Sequence, residues 1–227
     1  MQGEIERALA ALCAQEVRIA LAGRTDAGVH ATGQVISFRA ATELGATDMR
    51  RGVNALLPAD IAVKELSQAG EDFHARFSAT GRTYEYRIRN APQREPLERH
   101  REHWMPQALD AEALRLAAGR LPGRRDLSAF ASGPGGVRTI RRAEWSREAA
   151  LLRFEIEADG FLRGMVRAIV GTLLWVGRGK ITPDALEGIV ASGDRSRAGP
   201  SAPAAGLCLV AVAYEGNARA KEEDGEE

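Results

Sequence analysis

Ala22-Gly23-Arg24-Thr25-Asp26-Ala27-Gly28-Val29-His30-Ala31 joins two strand-like runs. Ahead of it, Val17, Ile19 and Leu21 alternate with Arg18 and Ala20; behind it come Val35, Ile36 and Phe38. The joint holds an arginine, an acid and a histidine, interrupted by two glycines. Glycine lets the backbone reach φ > 0 or approach a ligand closely. Arg24 and Asp26 are two apart, so in an extended segment both side chains leave on the same side. Two readings fit. One is a hairpin connection with an Asp-Ala-Gly turn. The other is a loop that presents chemistry on a rigid scaffold.

Working outward, residues 2–14 read as an amphipathic helix, with Ile5, Ala8, Leu9 and Leu12 spaced i, i+3, i+4, i+7. Residues 48–57 read as a second helix with Met49, Val53 and Leu56 on one face, capped by Thr47 or Asp48. Ile61 to Leu66 reads as a strand. The resulting helix-strand-strand-helix-strand order is a ferredoxin-like β-α-β-β-α-β unit without its first strand.

Arg82 to Arg89 is a strand with Tyr84, Tyr86 and Ile88 on one face, and residues 91–106 read as a loop. Residues 110–121 read as a helix, residues 133–136 as a loop, and Leu152, Phe154 and Ile156 mark a half-buried strand. Phe161 to Val176 reads as a buried helix carrying Arg163 and Arg167 on one face. Thr182-Pro183-Asp184 opens another helix, and Leu207 to Tyr214 is the final strand. The expected class is α+β: an N-terminal half over 1–70 carrying the Asp26 loop, a C-terminal half over 71–216, and an acidic, solvated tail over 217–227.

Composition narrows the function classes. The chain has 227 residues and a net charge of zero. Residues 217–227 carry two basic and five acidic residues, so the remainder stands at +3. A nucleic-acid footprint must therefore be a local patch. Cys13 and Cys208 supply neither a disulfide framework nor metal-ligand spacing and read as buried thiols of a reducing compartment. The longest apolar run, Ala168 to Val176, is far shorter than the roughly 20 residues a membrane span needs. The expectation is a cytoplasmic protein with no membrane segment, no metal and no cofactor.

The run GRTDAGVHATGQV, residues 23–35, resembles the signature of the tRNA pseudouridine synthase A family. Phe73 to Ala79 with Arg82 to Tyr86, Phe161 to Arg167 continuing to Gly171, and Gly199 to Pro203 with Gly206-Leu207 resemble its other blocks, in family order. Departures are Leu127, where Phe is expected after Asp126, and Gly164, where a larger residue is usual. Read as a helix-interior glycine, Gly164 loosens local packing by about 1 kcal/mol relative to Ala.

The resemblance implies a pseudouridine synthase fold of two ferredoxin-like halves with mainly antiparallel sheets. Family members begin with a strand ending in Tyr-Asp-Gly…Gly-Trp-Gln; here Met1-Gln2-Gly3 falls where that segment has already ended, so the first strand is expected to be missing. It also implies isomerisation of uridine to pseudouridine in tRNA, in the anticodon stem-loop around positions 38 to 40, by a homodimer. Asp26 is then the catalytic residue, as nucleophile or as base at the sugar. A carboxylate in a dry pocket needs a nearby cation to stay charged, and Arg167 is the candidate. Arg24 either contacts the RNA backbone or holds Asp26 before substrate binds. An extruded base needs a stacking partner, the role implied for Tyr84, while Tyr86 reads as core. Arg163 is an RNA or surface contact, and His30 a further substrate-side residue. The alternative function is a catalytically impaired chain that only binds tRNA. A carboxylate-based hydrolase is disfavoured, because glycosidases typically pair two carboxylates and this loop has one.

Overall fold

The structure, a computed structural model, describes residues 1–215; the acidic tail expected at 217–227 lies outside the described residues. The chain forms two compact units. The first comprises Met1–Gly23 and Val35–Ala79; the second comprises Arg24–Gln34 and the chain from Thr80 onward.

The first unit holds α1 (Gln2–Cys13) and the antiparallel pair β1 (Ala20–Leu21) and β3 (Ile36–Ser37). It also holds α2 (Ala46–Leu56); β2 (His30–Ala31), between β1 and β3 in sequence, belongs to the second unit. Ile5, Ala8 and Leu9 of α1 pack with Val17, Ile19, Met49 and Val53 in its core. Each of the larger of these side chains, fully buried, contributes about 1.5–3 kcal/mol, and the methyl of Ala8 less. The cap of α2 is Gly45, without a side-chain hydrogen bond, and not Thr47 or Asp48. Both of those lie inside the helix, where Asp48 stands 3.7 Å from Arg51. Leu56 is exposed, so the apolar face is Met49 and Val53 alone.

The strand expected at Ile61–Leu66 does not form. Its backbone bonds to side chains instead. Asn54 accepts from the Val63 amide at 2.7 Å and donates to its carbonyl at 2.9 Å, while Arg50 donates to the Lys64 carbonyl at 2.8 Å. Buried or half-buried backbone groups need partners, and α2 supplies them here in place of a ladder.

The second unit is built on a seven-stranded sheet. Its strands are β2, β4 (Ala79–Arg89), β5 (His103–Trp104), β6 (Gly123–Asp126), β7 (Val137–Glu148), β8 (Leu151–Ala158) and β9 (Leu207–Tyr214). The order is β2-β9-β4-β8-β7-β6, with β5 also on β4. β4 with β8, β8 with β7 and β7 with β6 are antiparallel; β2 with β9 and β4 with β5 are parallel. Helices α3 (Ala111–Ala118), α4 (Met165–Gly177) and α5 (Ala185–Ser192) share one core with the sheet. The arrangement is α+β with mostly antiparallel sheets, as expected.

Several expectations are corrected. The Asp26 loop groups with the second unit rather than with residues 1–70, because β2 runs parallel to β9 and the amides of Thr32 and Gly33 both donate to the Leu209 carbonyl. The 91–106 segment is not wholly loop: it contains a 3-10 turn at Pro96–Glu98 and β5. Helix α4 starts at Met165, so Arg163 precedes it and does not share a helix face with Arg167. Cys13 and Cys208 are free thiols of intermediate exposure, not buried ones. Among the described residues no helix is long and apolar enough to cross a membrane.

Gly164 is not a helix-interior glycine. It caps α4 at φ 70°, in the left-handed region that L side chains rarely adopt. A Cβ there would stand 2.5 Å from Ser132 Oγ, and the Ser132 amide donates to the Arg163 carbonyl at 2.8 Å. The position therefore calls for glycine on two counts. Leu127 is fully buried in the core and supplies the apolar body expected of a phenylalanine there.

Candidate active site

The Asp26 loop is shaped by a turn and a ladder. The Val29 amide donates to the Asp26 carbonyl at 3.1 Å, closing a four-residue turn with Gly28 third at φ 80°. That is the position at which a type II turn requires positive φ. From there β2 enters the sheet beside β9, so the turn that carries Asp26 is tied to the sheet directly. Gly33 permits the close approach: a Cβ on it would fall 2.1 Å from the Val210 carbonyl oxygen.

Arg167, in the first turn of α4, donates from Nη1 to Asp26 Oδ2 at 3.0 Å. The side chains remain 24% and 35% exposed, so the pair is covered but open to an incoming group. A second edge of the same guanidinium is fixed, with Nε donating to the Ala202 carbonyl at 2.7 Å. The Ala202 amide in turn donates to the Arg167 carbonyl at 2.9 Å. Arginine's rigid fork suits this double duty, one edge on protein backbone and one on a carboxylate.

The segment that supplies the Ala202 carbonyl is held at both ends. At its start, Gly199 lies against Gly171 of α4: a Cβ on Gly171 would fall 1.7 Å from the Pro200 oxygen, and one on Gly199 would fall 2.6 Å from Gly171 backbone. The Gly199 amide donates to Thr172 Oγ1 at 2.8 Å. Toward its end, Tyr86 Oη donates to the Pro203 carbonyl at 2.8 Å, and a Cβ on Gly206 would fall 2.8 Å from Tyr86 Cζ. Burial pushes the Tyr86 phenol well above the usual tyrosine range, and the nearby Arg167 charge pulls against it.

Tyr84 stands two residues earlier on the same face of β4, 8% exposed, with Phe161 edge-on at 5.1 Å. Burial pushes its phenol up to about 12; the Arg82 cation opposes this and the Asp26 carboxylate adds to it. Tyr84 and Asp26 are thus electrostatic neighbours.

The structure brings Asp26 and Arg167 into contact, and the Asp26 charge acts on the Tyr84 phenol. Arg24 is exposed and makes no hydrogen bond or ion pair among the described residues, so it does not hold Asp26. His30 bonds through Nε2 to the His100 carbonyl, at the edge of the loop. Arg163 is exposed ahead of α4. Sequence reasoning missed the carbonyl of Ala202, the Gly171–Gly199 contact and the hydroxyl of Tyr86. A carbonyl leaves no mark in a side-chain motif; the glycines at 171, 199 and 206 were the available signal.

A family model described as tRNA pseudouridine synthase matches residues 1–78 and 117–215. Proteins named tRNA pseudouridine synthase A resemble the chain over nearly its whole length. The one from Chloroflexus aurantiacus is 46% identical over 222 residues, covering 94% of this chain and 80% of the relative. That of Geobacillus kaustophilus is 42% identical, covering 95% and 85%, and that of Acetivibrio thermocellus 43%, covering 94% and 89%.

Proposed function

Because the chain belongs to the tRNA pseudouridine synthase family, we propose that Asp26 is the catalytic carboxylate of an isomerase acting on uridines of the tRNA anticodon stem-loop, at positions 38 to 40. The reaction of the family turns tRNA uridine into pseudouridine. The C1′–N1 bond breaks, the uracil turns, C5 bonds to C1′, the proton on C5 leaves to solvent, and N1, which carried none in uridine, takes one up. No electrons are exchanged with an outside agent.

The observation that carries this reading is the Arg167–Asp26 contact at 3.0 Å with Arg167 anchored from behind by the Ala202 carbonyl. A carboxylate that must meet C1′ or the base has to be aimed before substrate arrives. Misplacement by about 1 Å can cost a hundredfold in rate. Arg167 leaves one Asp26 oxygen outside its contact, as either nucleophile or base at the sugar requires.

Tyr84 is the ring we assign to the extruded base. Its ring is met edge-on by half-buried Phe161. Arg24, exposed in the loop, meets the RNA backbone in this reading, and the exposed Arg163 and His30 are further substrate contacts. Recognition by shape places most contacts on phosphates and 2′-hydroxyls. The same reading gives a homodimer working in the cytoplasm.

The test is tritium release from tRNA labelled at uridine C5. Wild-type protein should release tritium, and Asp26→Asn should not while still retarding tRNA. Release that survives Asp26→Asn sinks the assignment. Folded wild-type protein that retards tRNA and releases nothing would make the chain a binder only.

A further inference from the structure

Tyr86 is the one aromatic side chain of β4 that donates a hydrogen bond to the segment behind Arg167. We infer that the Tyr86 hydroxyl is a positioning group for the reaction: by fixing the Pro203 carbonyl it sets the neighbouring Ala202 carbonyl, which aims Arg167 at Asp26. This rests on the reading of Asp26 as the catalytic carboxylate.

The links are continuous. Tyr86 Oη donates to the Pro203 oxygen at 2.8 Å. Ala202, one residue earlier, accepts from Arg167 Nε at 2.7 Å and donates from its amide to the Arg167 carbonyl at 2.9 Å. Arg167 Nη1 donates to Asp26 Oδ2 at 3.0 Å. The Tyr86 ring is fully buried and pressed against backbone at Gly206, so the ring itself has a fixed place. Core packing alone asks only for an aromatic ring there; phenylalanine would fill it. The hydroxyl adds a bond whose only visible service is to hold one carbonyl-bearing segment. The segment has a second tie at its other end, from the Gly199 amide to Thr172 Oγ1. With both ties in place the Ala202 carbonyl has a set direction. Arg195 also donates to the Gly199 carbonyl at 2.9 Å, and the Ala202 amide bonds the Arg167 carbonyl. Removing the hydroxyl therefore leaves the segment in place but shifts the Ala202 carbonyl by a fraction of an ångström, and the guanidinium with it.

The experiment removes the hydroxyl and leaves the ring. Tyr86→Phe should lower kcat for tritium release about 10- to 100-fold, the scale of a small misplacement. KM for tRNA should stay within about twofold, since no substrate contact is lost. Tyr86→Phe added to Arg167→Lys should cause no further loss, because residues acting through one another are not additive. A purely structural role predicts the opposite: losses that multiply, and a fall that tracks melting temperature. Should Tyr86→Phe melt early, Thr172→Val loosens the other end of the segment and should reproduce the kcat loss. Unchanged kcat in both variants, or multiplying losses with Arg167→Lys, overturns the inference. Asp26→Asn measured alongside keeps the two claims apart. An active Asp26→Asn fails the reading of the site, whereas an inactive one with an unaffected Tyr86→Phe fails only the role of the hydroxyl.

Discussion

The backbones of Gly171 and Gly199 meet face to face, so closely that a methyl group on either would overlap its neighbour. One is in the middle of α4, the other opens the segment that anchors Arg167. The contact makes helix and segment a single part and places the Gly199 amide within reach of Thr172. Gly171→Ala would put a carbon 1.7 Å from the Pro200 oxygen. Overpacking of this kind should cost about 3 kcal/mol, read as a lower midpoint in urea unfolding. A variant with wild-type stability and activity would mean the approach is looser than described.

At Gly164 the sign of the effect is diagnostic. An alanine inside a helix gains up to about 1 kcal/mol over glycine. At φ 70° it should instead lose about 1–2 kcal/mol, with further crowding against Ser132 Oγ. Calorimetry on Gly164→Ala separates the two; stabilisation would contradict the left-handed cap.

Arg167→Lys keeps the charge and loses the fork. A single ammonium cannot hold the Ala202 carbonyl and Asp26 Oδ2 from two edges as the guanidinium does. Turnover should fall about a hundredfold while tRNA retention on a native gel stays near wild type. Full activity of the lysine variant would show that charge alone suffices.

Tyr84, Tyr86 and Tyr214 are all the tyrosines of the chain, and burial raises every one of them, Tyr84 and Tyr214 to about 12. A phenol raised in the folded state favours folding below the unfolded value of about 10. That contribution drains away as pH climbs toward the folded value. Stability should therefore decline from pH 10 upward, and the folded protein should show little phenolate absorbance at pH 10.5. The urea-unfolded chain should titrate near 10. A folded-state tyrosine ionising at its ordinary pH would refute this.

What the sequence revealed depended on whether side chains carried the information. The strand at residues 82–89 was plain because Tyr84, Tyr86 and Ile88 alternate cleanly with polar neighbours. The strand Val137–Glu148 was not, because a bulge between Ile140 and Arg142 shifts the inward positions to Ala143 and Trp145, and the period of two is lost. The residues of the Asp26 loop alone left a plain hairpin turn open, and the role expected of Asp26 came from the resemblance. Arg167 emerged through resemblance, since only the fold brings residues 26 and 167 together. The parts behind Arg167 are two carbonyls and two touching glycines, and such parts have no spelling in a one-letter code.

β2 pairs with β9, and that pairing has a temporal side. The residues that finish the site arrive in order along the chain: Asp26 first, Arg167 after it, the Ala202 carbonyl next, and the strand that seats the loop, Leu207–Tyr214, last. A chain emerging from the ribosome thus carries the whole signature motif for most of its synthesis with nothing to aim its acid. Only when the strand around Cys208 and Leu209 has left the exit tunnel does the loop gain its ladder. A nascent chain stopped short of Leu207 therefore carries Asp26 in a loop that lacks the strand on which it is seated.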